Sequence, residues 1–166
     1  KEMGASFGVF CLRGYTLDIA LPRRGGGKGE EADIDPFMGR KEAERRRDFT
    51  MNAMMQDVLT GEIFDDFGGR EDIRKRVIRH VDEETFRRDP LRAMRAAQFA
   101  ARFDFAIVPE TMAVCRTLEL RGLAKERVMG EVEKALMQSE KPSRFFEALR
   151  EMGQIEPWMR EVAALQ

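Results

Sequence analysis

The sequence predicts an α+β protein in which two small β-hairpins precede an all-helical half, and three observations carry that expectation. Short β-rich runs flank turn residues at 7–12 and 15–21, and again at 56–59 and 62–65. From about Thr85 onward the apolar residues recur at helical spacing, as at Leu91 and Met94. Gly122, Pro142 and Gly153 then supply the breaks that separate successive helices. The change of period divides the chain into an expected first domain at 1–84 and a helical second domain at 85–166.

The first hairpin pairs 7–12 with 15–21 across Arg13-Gly14, a two-residue turn signal. Asp18 interrupts the second strand, and alternation alone makes it a surface position, although a carboxylate on a strand could also face a metal. Pro22 ends that strand. The glycine-rich run at 23–31 reads as a connection, because it lacks the Lys-Ser/Thr ending and the strand-to-helix setting of a phosphate loop. Asp33-Ile34-Asp35-Pro36 is read as turn chemistry rather than a metal site. A short basic helix is expected over 39–47. The second hairpin turns at Thr60-Gly61, Asp66-Phe67-Gly68-Gly69 breaks it, and a short helix starts at Arg70. A small apolar strand is expected at 77–81. Four helices then follow at 89–103, 109–121, 125–138 and 142–152, with Pro90 tolerated in the first turn of its helix.

Composition narrows the function classes. A hydrophobic content of 43% with 36% charged residues fits a helix-rich globular chain. No apolar run approaches the ~18 residues of a membrane span, and no signal-peptide pattern is present, so a cytoplasmic location and no membrane partner are expected. Cys11 and Cys115 lie far apart without metal-ligand company, and His80 is the sole histidine, which disfavours a histidine-based metal site or nucleophile. The net charge of −1 argues against nonspecific nucleic-acid coating. Lys and Arg nevertheless cluster at 40–47, 70–79 and 87–102, a pattern that suits one phosphate-bearing ligand. The chain opens at Lys1 on the approach to a strand, which suggests that it begins inside a larger protein.

Two stretches concentrate the chemistry. Arg45-Arg46-Arg47-Asp48-Phe49-Thr50-Met51-Asn52 sets three guanidiniums beside a carboxylate and an amide, groups able to grip phosphate and accept from a sugar hydroxyl. The same residues could simply start a helix, with Asp48 or Thr50 as its cap, and they leave both readings open. Arg87-Arg88-Asp89-Pro90-Leu91-Arg92-Ala93-Met94-Arg95 repeats the theme. Asp89, Arg92 and Arg95 at spacings of three can project from one side of a helix, where an acceptor next to a donor fork can imitate the edge of a base. Taken alone, that pair is equally a solvated ion pair.

In order, Arg46-Arg47-Asp48-Phe49-Thr50-Met51-Asn52-Ala53, Asp66-Phe67-Gly68-Gly69-Arg70-Glu71-Asp72-Ile73, Phe86 to Arg95, and Phe99-Ala100-Ala101-Arg102-Phe103 resemble the class II (bacterial-type) tRNA nucleotidyltransferases, that is, the CCA-adding enzymes, and their poly(A) polymerase relatives. The resemblance runs from about Phe7 to about Leu136. It implies part of a polymerase-β-like palm or head followed by a helical neck, with tRNA, CTP and ATP as partners and Mg2+ as cofactor. By the same resemblance Asp48 would accept from the ribose 2′-hydroxyl, with Asn52 completing its motif, while Arg46 and Arg47 would hold phosphates. Asp89 and Arg92 would pair with base edges, and Arg95 would lie near the triphosphate. Asp18 would be a metal-associated carboxylate of the palm. Glu126 and Arg127, with Glu131 and Lys134, resemble a neck motif that supports the tRNA-facing helices.

Two departures qualify the resemblance. The family's glycine-rich motif and Asp-x-Asp metal pair belong before the first hairpin, where this chain has no matching residues, and Asp33-x-Asp35 lies on the wrong side of Asp18. No catalytic residue is therefore assigned, and this chain by itself is expected to be inactive. Arg88 stands where the family usually has Glu, and beside Arg92 it is expected to loosen base selection. The leading expectation is a tRNA nucleotidyltransferase that adds C and A to tRNA 3′ ends. A poly(A) polymerase, or a noncatalytic nucleotide- or RNA-binding fragment, is the alternative.

Overall fold

The computed structural model describes residues 9–11, 14–24 and 33–164, with the backbone alone at 9–11, 18 and 23. It bears out the α+β class, and it divides into two compact units at 1–44 and 45–166.

The first unit holds two small antiparallel pairs. Strand β1 (Val9–Cys11) pairs with β2 (Asp18–Ala20), Cys11 opposite Asp18. The expected two-residue turn is thus a longer connection: Tyr15 and Leu17 are exposed rather than paired, and Gly14 takes φ 88. Strand β3 (Arg23–Arg24) pairs with β4 (Asp33–Ile34), so the start of the expected glycine-rich connection at 23–31 is itself paired, with residues just past its end. The Asp35 N–H donates to the Pro22 carbonyl (2.9 Å), and Arg24 Nε donates to Asp35 Oδ2 (2.7 Å), a bond that also raises the Arg24 pKa. Asp35 Oδ1 accepts from the Phe37 N–H, the turn chemistry expected of it. Helix α1 (Arg40–Arg45) is shorter than the expected basic helix.

In the second unit a 3-10 turn (Thr50–Asn52) is followed by the hairpin of β5 (Met55–Gln56) and β6 (Ile63–Phe64). Asp57 Oδ1 accepts from the Leu59 and Thr60 N–H groups and shapes the loop between them. Helix α2 (Gly69–Lys75) begins where Asp65 takes the N–H groups of Gly69 and Arg70, satisfying two of its orphan donors. It ends at Arg76 in the left-handed conformation (φ 57) and leads into β7 (Val77–Ile78). The short helix α3 (Glu83–Arg87), capped by Asp82, spans the expected boundary near Thr85.

The core is organised on α4 (Leu91–Phe103), whose Ala93, Ala96, Ala97 and Ala100 are buried. Small side chains on this face let neighbouring helices approach closely. Asp104, again left-handed (φ 56), stops α4 and leads into β8 (Ala106–Ile107), which lies parallel to β7. Helices α5 (Pro109–Arg116), α6 (Lys125–Met137), α7 (Ser143–Glu151) and α8 (Arg160–Ala163) complete the unit, with α6 and α7 packed on α4.

Helix α5 stops five residues before the sequence suggests because Gln154, from beyond α7, donates Nε2 to the carbonyls of Cys115, Arg116 and Leu118 (3.2, 3.3 and 2.7 Å). Those last carbonyls are satisfied without another turn of helix. Cys115 sits in this core, and burial pushes its thiol pKa up to about 12. Among the described residues no helix is long and apolar enough to cross a membrane.

Candidate nucleotide site

The arginine-rich joint is held open as an extended segment. The Thr50 N–H donates to Arg79 O (2.9 Å) and the Val81 N–H to Asp48 O (3.2 Å), so that Phe49 and His80 form an antiparallel bridge. Phe49 is fully buried and meets Phe86 and Phe99 edge-on, each at 5.6 Å between centroids. Pinned by this ring, its neighbours Asp48 and Thr50 are buried as well, while Arg47 and Asn52 stay exposed and Arg46 is half-buried. The helix-cap reading fails here: Phe49, not Asp48 or Thr50, occupies the cap position and makes no side-chain bond to the turn.

A second lock lies beneath the turn. Thr50 Oγ1 donates to Asp72 Oδ2 (2.7 Å), and Arg79 Nε bonds the same carboxylate (3.2 Å). Residue 69 must be glycine for α2 to come this near, because a Cβ there would lie 2.4 Å from the Thr50 carbonyl oxygen. The sequence assigns no site role to Arg79, nor to Asp72, although Asp72 lies in the Asp66 to Ile73 stretch that carries part of the resemblance.

On this frame Asp48 becomes a fixed acceptor. Its Oδ1 accepts from the Phe49 N–H (2.8 Å) and from Asn52 Nδ2 (3.0 Å), and its Oδ2 from Arg95 Nε (2.7 Å). With two lone pairs per oxygen, Oδ1 is filled and Oδ2 keeps one site for a further donor. Arg95 reaches on toward Glu131 on α6 (Nη1 to Oε1, 3.6 Å), and Lys134 Nζ donates to the same Glu131 oxygen (2.8 Å). A chain of alternating charge thus runs from the joint through α4 to α6.

The structure therefore brings Asp48, Asn52 and Arg95 together. The side chains of Asp89 and Arg92 are each bonded elsewhere, although the Arg92 N–H donates to the Asp89 carbonyl (3.0 Å). Arg92 donates to the carbonyls of Thr85 (2.9 Å) and Arg46 (2.8 Å) and lies over the Phe86 ring, and burial lowers its pKa. Asp89 accepts from the Leu91 N–H (3.2 Å) and, across to α6, from Arg127 Nη2 (2.7 Å). Glu126 is exposed at the start of that helix. Arg88 turns to Glu84 (2.8 Å) on its own exposed side. Asp18 begins β2 in the other unit, and its side chain lies outside the described residues. Among the described residues no group of three or more His, Cys, Asp or Glu is placed to hold a metal ion, so the described residues do not fit the Mg2+ set that the resemblance implies.

The bridge also sets His80 against Thr111. Thr111 Oγ1 accepts from the His80 N–H (3.0 Å) and lies 2.7 Å from Nδ1, an arrangement the neutral ring satisfies by accepting the hydroxyl proton. Burial lowers the His80 pKa below its ordinary 6.5, outweighing the carboxylates of Glu83, Asp82 and Glu110. The unfolded chain then binds more protons below pH 6.5, so stability should fall as the pH drops through that value. Urea unfolding at pH 7.5 and 5.5 should show the loss, and His80→Gln should remove most of it. An equal loss in the variant would assign the effect elsewhere.

Kinship gives the class, an α+β nucleotidyltransferase head piece continued by a helical neck. Residues 26–79 match the poly A polymerase head domain, and residues 104–165 match the domain described as "Probable RNA and SrmB- binding site of polymerase A". The chain is 40% identical to the multifunctional CCA protein of Chromobacterium violaceum, over 99% of this chain and 42% of that protein. It is 41% identical to that of Stenotrophomonas maltophilia, over 98% and 43%. Among solved structures it resembles the Bacillus stearothermophilus CCA-adding enzyme in complex with CTP, with TM-score 0.77, 34% identity, and coverage of 91% of this chain and 38% of that one. A tRNA nucleotidyltransferase with a primer tRNA and an incoming ATP analog aligns with TM-score 0.68 and 30% identity, over 76% and 38%. The chain belongs to the family of tRNA nucleotidyltransferases, the CCA-adding enzymes and poly(A) polymerases. It spans about two fifths of the length of the curated relatives it matches.

Proposed function

We propose that this chain is the nucleotide-selecting part of a tRNA nucleotidyltransferase, which adds C and A to tRNA 3′ ends from CTP and ATP. The observation that carries the reading is Asp48, buried and bonded on both oxygens, with one acceptor site left on Oδ2. A ribose hydroxyl is a donor of the right kind for that site. In this reading Arg46, Arg47 and Arg95 hold phosphates with Asn52 steadying Asp48, and Asp89 and Arg92 read the base. Glu126 and Arg127 lie toward the RNA. Charge developing on the α-phosphate as a 3′-hydroxyl attacks would be met by the guanidiniums. Mg2+ dependence, a role for Asp18 in it, and a cytoplasmic location are proposed by kinship, and no step is derived through the metal. The head part is taken to end near residue 84 and the neck to begin at 85, which the two matched domains at 26–79 and 104–165 support.

The test is incorporation of labelled CTP and ATP into tRNA lacking its 3′ end, run on this chain and on one extended to the full length of its relatives. Incorporation by the extended chain, abolished by Asp48→Ala, is the expected result. No incorporation by the extended chain would remove the transferase reading. The poly(A) polymerase reading, favoured by the matched head domain, would show instead as a long product from ATP alone.

A further inference from the structure

Arg127 touches the carboxylate assigned to base reading, a contact that gives it a role in addition to RNA binding. Asp89 is bonded on both oxygens: Oδ1 accepts from the Leu91 N–H at the start of α4 (3.2 Å), and Oδ2 from Arg127 Nη2 (2.7 Å), 38 residues away. The Arg127 bond is the shorter and is charge-assisted. Arg127 stands beside Val128, which is 1% exposed in the packing of α6 against α4. Helix packing therefore sets where the guanidinium meets the acid. The Asp89 side chain remains 29% exposed, so it is open to a ligand while held.

We infer that Arg127 is a positioning residue for base selection, fixing the Asp89 carboxylate as an oriented acceptor for an exocyclic amino group; the inference rests on the nucleotide-site reading above. Each Asp89 oxygen keeps one lone-pair direction after its bond. Cytosine N4 and adenine N6 carry amino groups that can donate there. Uracil and guanine place a carbonyl oxygen at the same edge, and a carboxylate repels it. That discrimination needs the acid to stay turned toward the base. Without Arg127 the weaker Leu91 bond alone opposes rotation, and the acid can turn toward solvent. Arg88 is engaged with Glu84 rather than with Asp89.

The experiment measures Kd for CTP, ATP and UTP by titration calorimetry on this chain, in the wild type and in Arg127→Ala, Arg127→Lys, Asp89→Asn and Arg144→Ala. Arg144, paired to Asp104, serves as a control that loses an ion pair away from Asp89. The preference of CTP and ATP over UTP should fall about tenfold in Arg127→Ala, the scale of one charge-assisted bond. Lysine should restore part of it, and Arg144→Ala should leave the ratio unchanged at a comparable melting temperature. An unchanged ratio in Arg127→Ala, or an equal change in Arg144→Ala, would overturn the inference. The absence of any nucleotide preference in the wild type, or its persistence in Asp89→Asn, would instead overturn the functional reading beneath it, and this inference with it.

Discussion

Arg95→Met is expected to lower the unfolding free energy by about 3 kcal/mol, the low end of what removing one partner from a buried ion pair costs. Arg95 is 30% exposed, which moderates the effect, but the acids it serves are not: the Asp48 side chain is 10% exposed and that of Glu131 5%. Methionine replaces the volume and none of the charge. Asp48 then loses the donor on Oδ2, and Glu131 keeps only Lys134. The variant should also lose nucleotide binding beyond what its stability explains. Urea unfolding checks the first part. Adding Asp48→Asn to Arg95→Met should recover at least about 1 kcal/mol, since the stranded charge is then gone. A single variant within ~0.5 kcal/mol of the wild type, the range of ordinary surface substitutions, would show that Arg95 does not hold the joint to α4.

Gly69→Ala is expected to destabilise the chain by about 2–3 kcal/mol through overpacking at one atom. The new methyl would lie 2.4 Å from the Thr50 carbonyl oxygen, 2.9 Å from its carbon and 3.0 Å from Met54 Cγ. The methionine can swing away, whereas the carbonyl belongs to the 3-10 turn and cannot move alone. Helix α2 must withdraw, taking Asp72 from Thr50 Oγ1 and loosening the turn that carries Asn52. Gly130 is the contrast. It lies inside α6 with nothing within 4 Å of an added Cβ, so Gly130→Ala should raise stability by about 0.5–1 kcal/mol. Thermal or urea unfolding of the two variants should move in opposite directions, and similar shifts in both would refute the close-contact account.

Much of the helical half was legible because its cause is local. Apolar spacing from Leu91 and the punctuation at Gly122 and Pro142 place α4, α6 and α7 within about two residues of their observed ends. Where long-range partners decide, the reading slips. Helix α5 is cut short by Gln154, and β8 exists because Val77 and Ile78 offer a parallel edge to Ala106 and Ile107. Two-residue strands carry too little pattern to announce themselves. The first hairpin forms, but with Cys11 opposite Asp18, a register that differs from the one the Arg13-Gly14 dipeptide predicts.

The sequence by itself determined the class of the fold, the family and the short list of charged residues, since ordered motifs and periodicity are properties of neighbours along the chain. Only the tertiary structure decided which acid each arginine meets. Arg95 finds Asp48 across 47 residues, Arg127 takes Asp89 across 38, and Arg92, expected to stand beside Asp89, spends its fork on the carbonyls of Thr85 and Arg46. No spacing rule encodes those choices. They follow from the alanine face of α4, which lets α6 close on it, and from buried Phe49, which pins the joint against His80.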